Sequence, residues 1–410
     1  MQIQAESAPL APLDDAGERH GLHVLAILST LMGFASISTD LYLPAMPAMG
    51  RALNASEGTI EWTVSGYLIG FSLGQLFWGP ISDRLGRKLP VAFGLLLFII
   101  GSAGCALADS AMTMIAVRVL QAAGACAGVV LSRAMVRDLY EGYKAAQMMS
   151  TLITVMAIAL LLGPIVGGQI LALAGWRAIF WFLVLIGAAT LLALTALPET
   201  LPPERRRQAS LWRAFTGYGA LLRDRRFLGY AGTGGFFYGA MFAYIAGTPF
   251  AYITYHHVPA QFYGLLFACG IVGIMASNLL NARLVKSLGS DRLLRWGAAG
   301  AALSGVILAA TAWTDWGGLW GLAVPLFVFV TATGFIVANS IAGALGQHPD
   351  QAGAVSALVG ATQYGTGILG SALVGAFADG TPWPMGWVIA SLAIGSGLSA
   401  WLLIQRTDRV

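Results

Sequence analysis

The sequence predicts an all-α polytopic membrane protein with twelve transmembrane helices in two pseudo-symmetric six-helix halves around a central cavity. Three observations carry this. Of 410 residues, 57% are hydrophobic and only 10% charged, with 52 glycines and a mean hydropathy of +0.73, whereas about 25% of residues in soluble domains are charged. The apolar residues gather into twelve runs, each near the roughly 20 residues that cross a bilayer. The basic residues sort to one side of those runs, as the positive-inside rule requires of short loops.

Taken in order, residues 1–21 form a tail with Glu6, Asp14, Asp15 and Glu18, without the basic start of a signal peptide, and read as cytoplasmic. The N-terminal half, 22–197, holds apolar runs at 22–46, 59–80, 89–108, 111–132, 147–172 and 177–197. Charged or turn-rich breaks separate them, the shortest being a tight turn around Asp109. Residues 198–226 form a linker with Pro202, Pro203 and Arg205 to Arg207, dividing the runs six and six. The C-terminal half, 227–405, has runs at 227–253, 261–282, 292–313, 318–341, 352–378 and 383–404, and 406–410 form a short tail. Glycine-rich spans fit, because small residues let helices approach closely in lipid.

With both termini cytoplasmic, 20 of the 23 lysines and arginines fall on the inner side, against Arg51 and Arg177 outside and Arg118 within a span. Adding or removing one span would scramble that sorting. The net charge of +4 thus reflects orientation, and nothing suggests a nucleic-acid partner. Cys105, Cys126 and Cys269 lie in apolar stretches without metal-ligand spacing, so no metal site is expected. The basic loop at Asp83 to Lys88 has a degenerate counterpart at Arg283 to Gly289. Parallel duplication of six-helix units is a transporter architecture with a midplane site.

Several motifs carry a resemblance. Gly79-Pro80-Ile81-Ser82-Asp83-Arg84-Leu85-Gly86-Arg87-Lys88 is similar to the loop signature of the major facilitator superfamily, and Arg118 to Gly124 to its fourth-helix motif, with Ala122 where glycine is usual. Gly163-Pro164-Ile165-Val166-Gly167-Gly168 resembles the fifth-helix motif of its drug–proton antiporters. Ser38 to Pro47, Ala243 to Phe250 and Leu197 to Leu201 resemble the bicyclomycin and chloramphenicol resistance branch. The resemblance implies a proton-coupled multidrug efflux antiporter of the bacterial inner membrane. It would be monomeric, would export hydrophobic or neutral polar antibiotics by alternating access, and would need no cofactor beyond the proton gradient.

The residues assign roles beside that name. Asp40 and Arg118 are the ionisable groups placed deepest in spans, where a charge is costly and marks function by default. If the first span ends near Pro47 and the fourth begins near Ala111, each lies seven residues from its outer end, about 10 Å deep. Together they would form the proton-coupling pair, with Gln121 sharing a helix face with Arg118. Glu61 is expected to be solvated at the outer lip, and His256 and His257 to lie on the surface. Substrate would meet Tyr42 and Gln121 on one side. On the other stand Phe236, Tyr238, Phe242 and Tyr244 of the seventh span, with Asn339, Gln363 and Tyr364 beyond.

Gating would fall to Gly79, Asp83, Arg84, Gly86, Arg87 and Lys88, with Asp83 pairing in one conformation only. In the fifth span, Gly163, Pro164, Gly167 and Gly168 would pack closely on Gly270, Gly273, Ala276 and Ser277 of the eighth. An ATP-driven pump would need a phosphate-binding loop ending in Gly-Lys-Ser/Thr, which is absent. An intramembrane enzyme would need convergent catalytic groups beyond one aspartate and one arginine. A proton-coupled importer of a small organic solute is the nearest alternative.

Overall fold

The computed structural model describes residues 16–140, 142–206, 218–348 and 352–404, nearly all helical. The tail to residue 15, Arg207 and Arg213 of the linker, and Arg406 and Arg409 lie outside the described residues.

The six spans of the first half are Ala16–Asp40, Glu57–Leu85, Lys88–Leu107, Ala111–Leu139, Gly142–Ala174 and Trp176–Ala193. Those of the second are Arg225–Pro249, Ala260–Leu288, Ser290–Thr314, a tenth in two pieces, Ala352–Ala376 and Trp383–Leu398. Ten of these segments are long and apolar enough on length and composition to cross a membrane. The other two, the second and eleventh, pack against each other between the halves, and the serines and glycines of that seam dilute their apolar character.

Boundaries follow local chemistry. Ser56 and Ser110 cap the second and fourth spans by accepting from the N–H of Thr59 and Thr113, each at 3.2 Å. Asp224 caps the seventh through the N–H groups of Arg226 and Phe227. The second span ends at Gly86, whose φ of +94° few side chains tolerate. The third and fourth spans join through Ala108 to Ser110, the expected tight turn.

Two spans differ from their apolar runs. The first helix stops at Asp40 and the chain continues as a 3₁₀ turn, Leu43–Ala45, and a short helix, Met46–Ala52. Pro44 causes this: without an N–H it cannot bond to the carbonyl of Asp40, and its ring would crowd that oxygen. The tenth span is Gly318–Thr331 followed by Thr333–Gln347, a break invisible to hydropathy.

Alternating spans place Arg84 to Lys88, Arg137, Arg226 and Lys286 at one end, the basic end. The two halves meet toward the opposite, far end. There the backbones of Gly58 and Gly375 touch, Ser65 Oγ and Ser371 Oγ lie 2.8 Å apart, and the Phe71 and Tyr364 rings lie 5.2 Å apart nearer the middle. The fifth and eighth spans meet at the same end, the first turn of the eighth resting on the last turns of the fifth.

Candidate functional site

Arg118 is fully buried. Its Nη1 donates to Ser38 O at 2.9 Å and Gln121 Oε1 at 2.6 Å, and its guanidinium carbon lies 4.1 Å from the centre of the Tyr42 ring and 4.4 Å from that of Tyr67. A buried cation between two aromatic faces is stabilised by their quadrupoles, by up to about 2 kcal/mol each when desolvated. The tyrosines are held in turn: Tyr42 OH lies 3.0 Å from Thr63 Oγ1 and Tyr67 OH 2.6 Å from Ser38 Oγ. Arg118 Nε and Nη2 have no hydrogen-bond partner.

Asp40 is 2% exposed, and its Oδ2 likewise has no partner. The expected ion pair is not formed: no Arg118 nitrogen comes within 4.0 Å of an Asp40 oxygen. The reason is geometric. Ser38 O and Gln121 hold Nη1, the two rings clamp the guanidinium plane, and the helix end turns Asp40 toward the fifth span. Sequence reasoning missed Tyr67, Ser38 and Thr63, and only their polarity within an apolar run singles them out.

The fifth-span motif has a different partner from the one expected. A Cβ placed on Gly163 would lie 3.1 Å from Asp40 Cβ, and one on Gly167 would overlap the Leu41 carbonyl oxygen. Gly168 abuts Ala260 O and Gln261 Cα at the start of the eighth span, where Gly264 faces Pro164 and Ile165 in return. Gly270 and Gly273 instead face Val330 and Thr331 of the tenth span. The fifth and eighth spans do meet, through Gly264, and most of the motif cradles the end of the first span. The eighth-span glycines sit one to three turns too deep to reach it.

The substrate candidates divide. Tyr364 stands between the halves beside Phe71. Tyr238 neighbours Phe242 at 6.3 Å, and Phe242 packs on Gly367 of the eleventh span. Tyr244 is buried, stacked on Phe267 at 5.7 Å. Gln363 is buried with Nε2 unpartnered.

Three expectations fail. Gln121 is spent inside the first half, donating to Ser102 Oγ at 2.8 Å while accepting from Arg118. Asn339 is spent inside the second, donating to Asn281 Oδ1 at 2.7 Å and Phe335 O at 2.8 Å and accepting from Ser290 Oγ at 3.0 Å. Phe236 points at Gly395 of the twelfth span. Each lies on a helix face turned toward its own half. Glu61, expected in water, is 3% exposed. His257 is exposed and His256 half-buried.

At the basic end, Arg87 Nη1 donates to Ser82 Oγ and Asp83 Oδ1, each at 2.6 Å, and its Nε to Asp138 Oδ2 at 2.8 Å. Glu199 closes the loop, accepting from the N–H of Arg87 at 2.8 Å and of Lys88 at 3.2 Å. Lys88 Nζ donates to Thr195 O and Leu197 O. Partial burial disfavours the Glu199 charge, but the N–H groups of Leu201, Arg87 and Lys88 outweigh this and hold it below the usual carboxylate range. Asp138 and Glu199 were not foreseen. Gly79 meets nothing within 4 Å, so it is no packing site, while a Cβ on Gly86 would crowd Glu199.

Residues 28–371 match the family model described as Major Facilitator Superfamily. The chain belongs to the major facilitator superfamily. It is therefore a multi-pass membrane transporter and not an enzyme. Among its relatives, an MFS-type transporter of Bacillus subtilis, YdgK, is 34% identical over 92% of this chain and 93% of its own. A bicyclomycin resistance protein homolog of Haemophilus influenzae is 31% identical over 93% and 95%, and a chloramphenicol resistance protein of Pseudomonas aeruginosa is 30% identical over 88% and 85%. Among solved folds, the nucleoside transporter NupG superposes with a TM-score of 0.75 at 15% identity, over 94% of this chain and 99% of its own.

Proposed function

We propose that this transporter is a proton-coupled drug exporter of the bacterial cytoplasmic membrane, with the basic end and both termini cytoplasmic. It would act as a monomer, with the proton gradient as its only energy source. The relatives named for resistance to bicyclomycin and chloramphenicol support export of such antibiotics. In this orientation the structure is closed toward the outside, and drug enters from the cytoplasmic side.

The observation that carries the coupling is the separation of Asp40 from Arg118. A buried carboxylate oxygen without a donor is poorly suited to ionisation, since an uncompensated charge there bears the full desolvation cost. Asp40 in this state suits a proton. Arg118 keeps two donors free, Nε and Nη2, and movement of the first span against the fourth would bring the ionised carboxylate onto them. The proton therefore favours one arrangement and its loss the other. Drug that prefers the second is coupled to proton release without touching the proton, and the coupling is reciprocal. Tyr364, Phe71, Tyr238 and Phe242 would offer aromatic faces to an apolar drug between the halves.

The test is drug-stimulated proton release from purified protein. Asp40→Asn keeps the shape but removes the titratable site and should release no proton on adding chloramphenicol while still binding it. Full release from this variant would place the proton elsewhere. A transporter that moves no antibiotic but accumulates an organic solute would favour the importer reading.

A further inference from the structure

Glu61 lies one turn inside the far end of the second span, on the line of contact between the halves. Gly58, Glu61 and Ser65 are spaced i, i+3, i+7 and share a helix face. The first and last touch the eleventh span at Gly375 and Ser371. The middle one is sealed between them, 3% exposed, with Oε2 lacking any hydrogen-bond partner.

Glu61 lines a cavity of about 20 Å³, room for a single water molecule. Phe250 and Tyr255 wall it on the seventh-span side, Val374 and Ala378 from the eleventh span, and Thr381 and Met385 beyond. The charged groups facing it are all acidic. Glu57 lies one turn before on the same helix, and Asp379, on the loop between the last two spans, is near enough to repel Glu57. Tyr255 is the remaining titratable group, and no lysine, arginine or histidine among the described residues lines the cavity. An ionised Glu61 would have neither donor nor cation and would face a second carboxylate. A neutral carboxyl would have one water as both donor and acceptor.

We propose that the closed far end binds a proton at Glu61, and that this proton latches the halves together. The proposal rests on the reading that the far end faces outside. Opening the seam exposes Glu61 to water and releases the proton outward, and closing takes it up from outside. Glu61 thus senses outer pH, with acid favouring closure, in addition to any proton carried by Asp40.

The experiment uses the full chain in lipid nanodiscs, with Cys105, Cys126 and Cys269 replaced by serine. Spin labels go on Arg51→Cys in the first half and Thr314→Cys in the second, both exposed positions. All samples carry Asp40→Asn, which silences the other buried carboxylate. Raising the pH should open the far end, the closed-to-open ratio falling about tenfold per pH unit, as release of one proton requires. Adding Glu61→Gln should abolish that response and leave the closed distance at every pH. Glu61→Met, similar in length and unable to bind a proton, repeats the measurement should the glutamine variant fold poorly.

A pH response that persists in both Glu61 variants, or is absent while Glu61 is intact, would overturn the proposal. So would a closed fraction that follows sodium at fixed pH, since the occupant would then be a metal cation. Proton release from the Asp40→Asn variant reports on the coupling reading separately, so either can fail alone.

Discussion

Replacing Gly264 by alanine adds one methyl group where the two halves cross. A Cβ at that position would stand 2.5 Å from Ile165 N, 2.6 Å from its Cα and 2.7 Å from the carbonyl carbon of Pro164. Ordinary contact begins at 3.4 Å, so the eighth span must retreat from the fifth by about 0.9 Å. The obstacle is backbone, which has no rotamer to yield. Overpacking of this kind costs about 1–3 kcal/mol, and because the contact exists only with the far end closed, the closed state loses a factor of about 5 to 150. Ser371, fully buried in the seam, gives the readout. A cysteine there, in a background lacking the native three, should react with an impermeant thiol reagent faster by that factor in the Gly264→Ala variant. Gly365→Ala on the eleventh span, with nothing within 4 Å, should leave the rate unchanged. Equal rates for Gly264→Ala and its parent would refute the view that this glycine sets how closely the halves meet.

Three further outcomes follow from the geometry. Gly167→Leu should insert normally yet lose export, because its side chain must displace the Leu41 carbonyl and the Asp40 end of the first span; wild-type drug resistance in cells expressing it would contradict this. Arg118→Lys keeps the charge but loses the planar stack between Tyr42 and Tyr67 and the paired bonds of Nη1, so thermal unfolding should show a loss of about 2 kcal/mol or more, and an unchanged melting curve would show that the stack contributes nothing. Glu199 has a folded pKa below its unfolded value. Its contribution is therefore fully present above the ordinary glutamate pKa of about 4.3 and is lost as pH falls through the lower folded value. Thermal scans of wild type against Glu199→Gln should show a gap at neutral pH that closes in acid, and a gap independent of pH would assign the effect to shape.

What could be read from the sequence was local. Hydropathy and the sorting of arginines and lysines give the number of spans, and one charge in an apolar run singles out Asp40 and another Arg118. What could not be read depends on which face of a helix meets which neighbour. Glu61 looks like a residue at the water's edge until the eleventh span, some 310 positions later, covers it. Asn339 looks free until Asn281 and Ser290 take up its amide. The Asp40–Arg118 pair failed for a similar reason: depth along each helix was estimated well enough to bring the two close, but Tyr42 and Tyr67 decide where the guanidinium points.

The grip of Glu199 on Arg87 and Lys88 also bears on how such a chain can be assembled. After six spans the polypeptide returns to the start of the third and fastens itself there, so the first half completes its own perimeter by Arg206. The covalent connection beyond that point then sets only how often the halves encounter each other. A two-gene ancestor, or a modern chain divided there and made as two pieces, would need mainly enough copies in one membrane to replace the tether.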